Sequence, residues 1–150
     1  MQETHGYEQN CGAGILLVCP PTKRILLGLR SAGGDEPNTW CNFGGGVQTG
    51  ETPLKGAIRE NLEECEVYPH NLIECPLYVN ELPDGYKYYN YIGIVDNEPK
   101  PVINHEHDDY NWFRISELSD IQLHSKFGEQ LMKPEIIQVV QKYLNGEAEI

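Results

Sequence analysis

The sequence predicts one domain of mixed α and β type, and three patterns predict it. Short apolar runs rich in branched residues, each bounded by turn residues, read as strands. An apolar stripe at helical spacing follows Thr52-Pro53. A second such stripe fills the C-terminal stretch. No repeat, low-complexity tract or linker divides the 150 residues. They are therefore read as a single domain over 1–150, long enough for a real core.

The elements follow in order. The first ten residues are polar and are expected to be loose. AGILLVC (13–19) is a buried strand, PPTK turns the chain, and RILLGLR (Arg24–Arg30) returns as the second strand of a hairpin. Residues 31–38 are a loop by composition, and TWCNFGGG leads out of it. Thr52 is a hydroxyl N-cap, with proline at the first helical position behind it. From there Leu54, Ala57, Ile58, Asn61, Leu62 and Cys65 form one mostly apolar stripe, and Pro69 stops any continuation. Residues 72–82 and 86–95 read as two strands around a PDG turn. A further strand is expected over 110–115, then a short helical turn opened by Ser116. Residues 133–146 read as an amphipathic helix with Ile136, Val139, Val140 and Leu144 on one face.

Composition narrows the function classes. A formal net charge of -12 argues against broad electrostatic binding to long nucleic acids or anionic membranes. It does not exclude a small phosphorylated ligand, because a bound metal inverts the local sign. Five scattered cysteines with no C-x-x-C pair point to reduced thiols and a cytoplasmic setting. The longest apolar run, AGILLV, falls far short of the roughly 20 residues a membrane-spanning helix needs.

The chemistry concentrates in GGGVQTGETPLKGAIRENLEECEV (44–67). At about 100° per residue, Glu60 and Glu64 project about 40° apart, and Glu63 lies within about 100° of both. The three carboxylates are thus expected on the face turned away from the core. Like charges at such spacings cost roughly 0.2–0.5 kcal/mol per pair. Either water screens them or a cation belongs there.

The stretch resembles the Nudix box of the Nudix hydrolases, G-x5-E-x7-R-E-U-x-E-E-x-G-U with U aliphatic. Gly45, Glu51, Arg59, Glu60, Glu63, Glu64 and Val67 are in register. Six specified residues at roughly 5–7% background usage coincide about once in ten million windows. Two positions depart. Asn61 replaces an aliphatic residue, so leucine there is expected to stabilise the protein. Glu66 replaces the glycine that ends the helix in a left-handed turn, at a cost of roughly 1 kcal/mol.

The resemblance implies an α/β/α sandwich, a mixed β-sheet between helices. It implies Mg²⁺- or Mn²⁺-dependent hydrolysis of the pyrophosphate linkage in a nucleoside diphosphate joined to another moiety. Water would attack phosphorus and release a nucleoside monophosphate. By the same resemblance Glu60, Glu63 and Glu64 hold the metal, with the Gly45 carbonyl and Glu51 close by, and Arg59 orients the glutamates. EHDDYNWFRISEL (106–118) resembles a later family segment in which an acidic loop supplies a metal ligand or general base. Glu106 is the candidate base, with Asp108, Asp109, Glu63 and Glu64 as rivals. A zinc site at His105 and His107 lacks a third ligand, and Trp112 is read as core. Arg30 stands where the family often has a basic residue near the phosphates. Trp40 either packs under the loop or touches substrate, and Tyr88 is the candidate among alternating tyrosines for stacking a base. The partner expected is a small nucleotide: a triphosphate, a nucleotide sugar, ADP-ribose or a dinucleoside polyphosphate. Association as a homodimer is left open. Alternatives are a nucleotide-binding sensor that has lost catalysis, a nucleotide-sugar glycosyl hydrolase attacking carbon, and an isomerase of the isopentenyl diphosphate type.

Overall fold

The structure, a computed structural model, describes residues 10–147. The expectation of a loose start concerns residues 1–9, which lie outside the described residues, together with residue 10. Strand β1 (Cys11–Cys19) is the centre of the fold, and all nine of its residues are buried. Its faces alternate as strand geometry demands. Ala13, Ile15 and Leu17 join Phe43, Ala57, Cys65 and Trp112 in one cluster. Leu16 and Val18 join Ile25, Leu27, Ile92, Phe127, Leu131, Val140 and Leu144 in the other. The first cluster packs beneath helix α1 (Pro53–Cys65). The second packs beneath α2 (Ser125–Leu131) and α3 (Pro134–Leu144). A sheet covered on both sides by helices is the α/β/α sandwich expected.

The sheet is mixed. β1 pairs in parallel with β7 (Lys87–Ile94), from Cys11 opposite Lys87 to Val18 opposite Ile94. On its other edge β1 pairs antiparallel with β2 (Arg24–Arg30) near its end and with β4 (Phe43–Gly46) near its start. β3 (Trp40–Cys41) and β8 (His107–Phe113) flank β2. β5 (Asn71–Leu72) and β6 (Tyr78–Glu81) both pair with β7. The single strand expected over 72–82 is therefore two pieces. Pro76, which has no N–H for the ladder, lies between them.

Other elements differ from their expected extents. The strand expected over 110–115 starts earlier, at His107, and gives way after Phe113 to a 3₁₀ turn over Ile115–Asp120. Helix α2 has no counterpart in the local pattern reading. Helix α3 is as expected, except that Val139 is 38% exposed while Val140 and Leu144 are buried.

Helix α1 starts as predicted, with the Thr52 side chain accepting the Lys55 N–H at 3.2 Å and Pro53 behind it. Its buried face is rotated from the apolar stripe. Gly56, Ala57, Asn61, Glu64 and Cys65 are buried, whereas Ile58 is 36% exposed. The three glutamates therefore do not share a solvent face: Glu64 is inside. At the helix end Glu66 adopts the left-handed conformation, φ 57° and ψ 27°, and its N–H reaches the Leu62 carbonyl at 3.2 Å. Asn61 is fully buried, and its amide donates to the Val67 carbonyl at 2.8 Å. It also accepts from the Cys65 thiol at 3.4 Å. The amide braces the turn, so the expectation that leucine would stabilise is reversed: leucine would strand a buried carbonyl.

Candidate active site

Arg59 organises the outer half of the acidic cluster. Its guanidinium makes a two-pronged ion pair with Glu51, at 2.7 and 3.0 Å. It also donates to Glu60 at 3.1 Å, to Glu63 at 3.2 Å and to the Gly46 carbonyl at 2.8 Å. One planar cation thus ties the α1 carboxylates to the loop before the helix, which suits the fork geometry of arginine. The Arg59 bonds hold the Glu51 carboxyl below its ordinary range. Glu60 lies directly over Gly45, where a side-chain carbon would meet its carboxylate carbon at 2.5 Å. A side chain at position 45 would push that carboxylate aside.

Glu64 behaves differently. It is 2% exposed, and one oxygen accepts the Gly44 N–H at 3.3 Å. The other oxygen, Oε2, has no hydrogen-bond partner. Burial, reinforced by Glu60 and the charge of Glu106, pushes its carboxyl up to about 9. Opposite it, His107 is 7% exposed with Nδ1 also unpartnered, 4.0 Å from Glu64 Oε1. Burial pushes the His107 imidazole down to about 4, so it is neutral.

Both residues line a cleft of about 1050 Å³. Its walls include Gly44, Gly45, Asn42, Tyr78, Tyr86, Tyr88, Phe127 and the loop from Arg30 to Glu36. Glu106 and Asp108 also line it, and Glu106 is exposed. Arg30 lines it too, with Nε donating to the Asp35 carbonyl at 2.6 Å. Tyr88 lies across a floor without side chains, its hydroxyl filling the space that Gly14 and Gly44 leave open. Glu63 is exposed on the outer side of α1, away from the cleft lining. Trp40 is also absent from that lining; its ring packs edge-on against Phe113 at 5.0 Å between centroids. The structure thus brings Glu64, Glu106, Arg30 and Tyr88 to one cleft, places Glu60 against its Gly45 wall, and leaves Trp40 elsewhere.

The sequence profile of the NUDIX domain matches residues 9–133. The chain belongs to the Nudix hydrolase family. That family acts on nucleotide pyrophosphates. A nucleoside triphosphate pyrophosphatase/Nudix hydrolase fusion protein of Bifidobacterium longum is 34% identical over 68 residues. The match covers 42% of this chain and 14% of that protein, so this chain spans a small part of its curated relative. Among solved structures, the Nudix hydrolase RenU from M. smegmatis superposes with a TM-score of 0.73 at 20% identity, covering 95% of this chain and 89% of that one. An Ap4A hydrolase from C. elegans gives 0.69 at 20% identity, covering 90% and 98%. These likenesses establish the fold.

The Nudix box residues fit a divalent cation on an observation independent of the family. A buried carboxylate oxygen with no donor is costly unless something positive reaches it. Glu64 Oε2 receives no donor, and with Glu60 beside it the carboxyl keeps its proton, a place that a divalent cation would take. Oxygen donors of this kind suit hard divalent ions. Pattern reasoning did not assign His107 to this cleft. Its only signal was a histidine beside the acidic loop, and nothing local showed that it turns inward. Among the described residues no helix is long and apolar enough to cross a membrane.

Proposed function

We propose that this Nudix protein hydrolyses the pyrophosphate linkage of a nucleoside diphosphate joined to a second moiety, releasing a nucleoside monophosphate. The observation that carries the reading is the buried, partnerless oxygen of Glu64 on the wall of a cleft of about 1050 Å³. That volume is at the top of the usual range for small-ligand sites, roughly 300–1000 Å³, and suits a nucleotide with an attached group. Glu60 and Glu64 would hold Mg²⁺ or Mn²⁺, with Gly45 beside them, and Glu63 would join them by leaving its contact with Arg59 on the outer side of α1, in keeping with the divalent metals Nudix hydrolases generally use. Bound there, such an ion polarises phosphoryl oxygens and makes its water more acidic.

The chain's own residues supply positioning and charge. Arg59 fixes Glu51, Glu60 and Glu63 in one network before substrate arrives, which lowers the reorganisation needed during reaction. Glu106, exposed on the cleft wall, is the base that takes the proton of the attacking water. Arg30 and Lys126 are the cationic side chains of the wall other than histidine, and they face the phosphates. Burial raises the Tyr88 hydroxyl well above its ordinary range, so it stays protonated and serves as a hydrogen-bond donor to substrate. Its place over the glycine floor suits donation from the hydroxyl better than stacking of a base on its ring.

The test is a panel of triphosphates, nucleotide sugars, ADP-ribose and dinucleoside polyphosphates, each with Mg²⁺ or Mn²⁺ and read by chromatography. The expected result is metal-dependent appearance of a nucleoside monophosphate from at least one of them. Binding without any such product would overturn the reading in favour of a sensor. Release of a free sugar with the nucleoside diphosphate intact would favour attack at carbon.

A further inference from the structure

The buried, partnerless Nδ1 of His107 lies beside the buried carboxyl of Glu64, whose Oε1 accepts the Gly44 N–H and whose Oε2 has no partner. The distance from Nδ1 to Oε1 is 4.0 Å. That is too long for a hydrogen bond, which needs about 2.7–3.2 Å. Two ligand atoms bonded to one ion at about 2.0–2.2 Å stand at most about 4.4 Å apart, so the pair lies within the span of one ion. Glu64 is 2% exposed and His107 7%, and both residues line the cleft.

The imidazole is held in this orientation. Its ring meets Phe43 edge-on at 4.8 Å between centroids. Its Cδ2 edge rests against Gly28, where a side-chain carbon would approach to 2.7 Å. Backbone register supplies the direction. β8 pairs with β2 residue by residue from Phe113 to Asp109, and then Arg30 pairs with His107, skipping Asp108. That bulge puts His107 on the face of Tyr110 and Trp112, the α1 face, instead of the opposite one.

We propose that His107 is a nitrogen ligand of the metal site, joining Glu64 through Nδ1. The inference rests on the metal-binding reading of α1 and adds a ligand of a different chemical kind. Oxygen-only sites suit Mg²⁺, whereas imidazole suits transition ions. The consequence is a site that favours Mn²⁺ and Co²⁺ over Mg²⁺.

The experiment uses Mn²⁺ alone with the full chain. Electron spin-echo measurements on bound Mn²⁺ in the wild type show directly coordinated nitrogen, and the signal changes isotope when histidine is labelled with ¹⁵N. In His107→Leu, which preserves an apolar contact with Phe43, that coupling disappears. Mn²⁺ binding weakens by about tenfold or more, a size typical of lost metal-site partners. Mg²⁺ binding, in the same titration, changes by less than about threefold. Manganese bound to the wild type with no histidine coupling overturns this inference and leaves the proposed hydrolysis standing. No manganese binding at all, with or without nucleotide, overturns both. Because the wild-type spectrum decides the matter, a poorly folding variant does not protect the proposal.

Discussion

Two acidic regions border the same cleft and have opposite characters. On one side Glu64 is buried with an oxygen that nothing in the protein satisfies, beside Glu60. On the other rim Asp35, Glu36 and His124 bring ligand atoms within 4.8 Å of one another. There Glu36 accepts the Ser125 N–H at 2.8 Å and its hydroxyl at 2.6 Å, and His124 Nε2 lies 3.3 Å away. The bonds from Ser125 hold the Glu36 carboxyl below its ordinary range. His124 Nδ1 accepts the Phe127 N–H at 3.5 Å, so its proton sits on Nε2 and no lone pair faces the carboxylates. Crowding of acidic groups is common to both regions. Only the α1 side leaves a buried carboxyl oxygen without a donor, and the rim cluster is a joint between a loop and a helix.

The largest effect that would break this contrast is on turnover. Glu64→Gln should lower nucleoside monophosphate release by about a hundredfold or more, on the order expected when a charged group stabilising the transition state is removed. Glu36→Gln should leave it within about threefold. Equal losses in the two variants would erase the distinction.

Next in size is the satisfied amide on the same helix. Asn61→Leu should destabilise the protein by about 1–3 kcal/mol in denaturant titration, because the Val67 carbonyl is left buried without a donor. A gain in stability would mean that the brace is dispensable.

The rim cluster should be sensitive to acid. The Glu36 pKa is lowered from 4.5 on folding, so its stabilisation is present above about pH 4.5 and is lost as pH falls through the lower folded value. Melting curves of wild type and Glu36→Gln should therefore converge below that window and differ by about 1 kcal/mol above it, the size of a helix-capping contact. A gap that persists into strong acid would show that Glu36 acts by packing.

The smallest change concerns the helix end. Glu66 has a φ of 57°. Glu66→Gly should raise stability by about 1 kcal/mol by relieving that conformation, without changing turnover. Loss of stability would show that the glutamate side chain makes a compensating contact.

Much of the fold was legible because its signals are local. The β1 run, the Thr52-Pro53 cap and the α3 pattern each depend on neighbours within one or two turns. Pro76 dividing the expected strand was also local information, outweighed by the apolar run around it. The buried face of α1 was less legible. Ile58 and Leu62 looked like core, but the sheet meets the helix along Ala57, Asn61, Glu64 and Cys65. A helix's apolar stripe sets which face is cheap to bury, and docking sets which face is buried.

The sequence by itself determined the carboxylates, the arginine between them and the helix that carries them, because a periodic spacing along one helix is a property of the chain alone. Only the tertiary structure decided that Glu64 loses water while Glu63 keeps it, and that a bulge opposite Arg30 turns His107 toward Glu64. Desolvation and strand register arise between segments distant in sequence, and no local pattern encodes them.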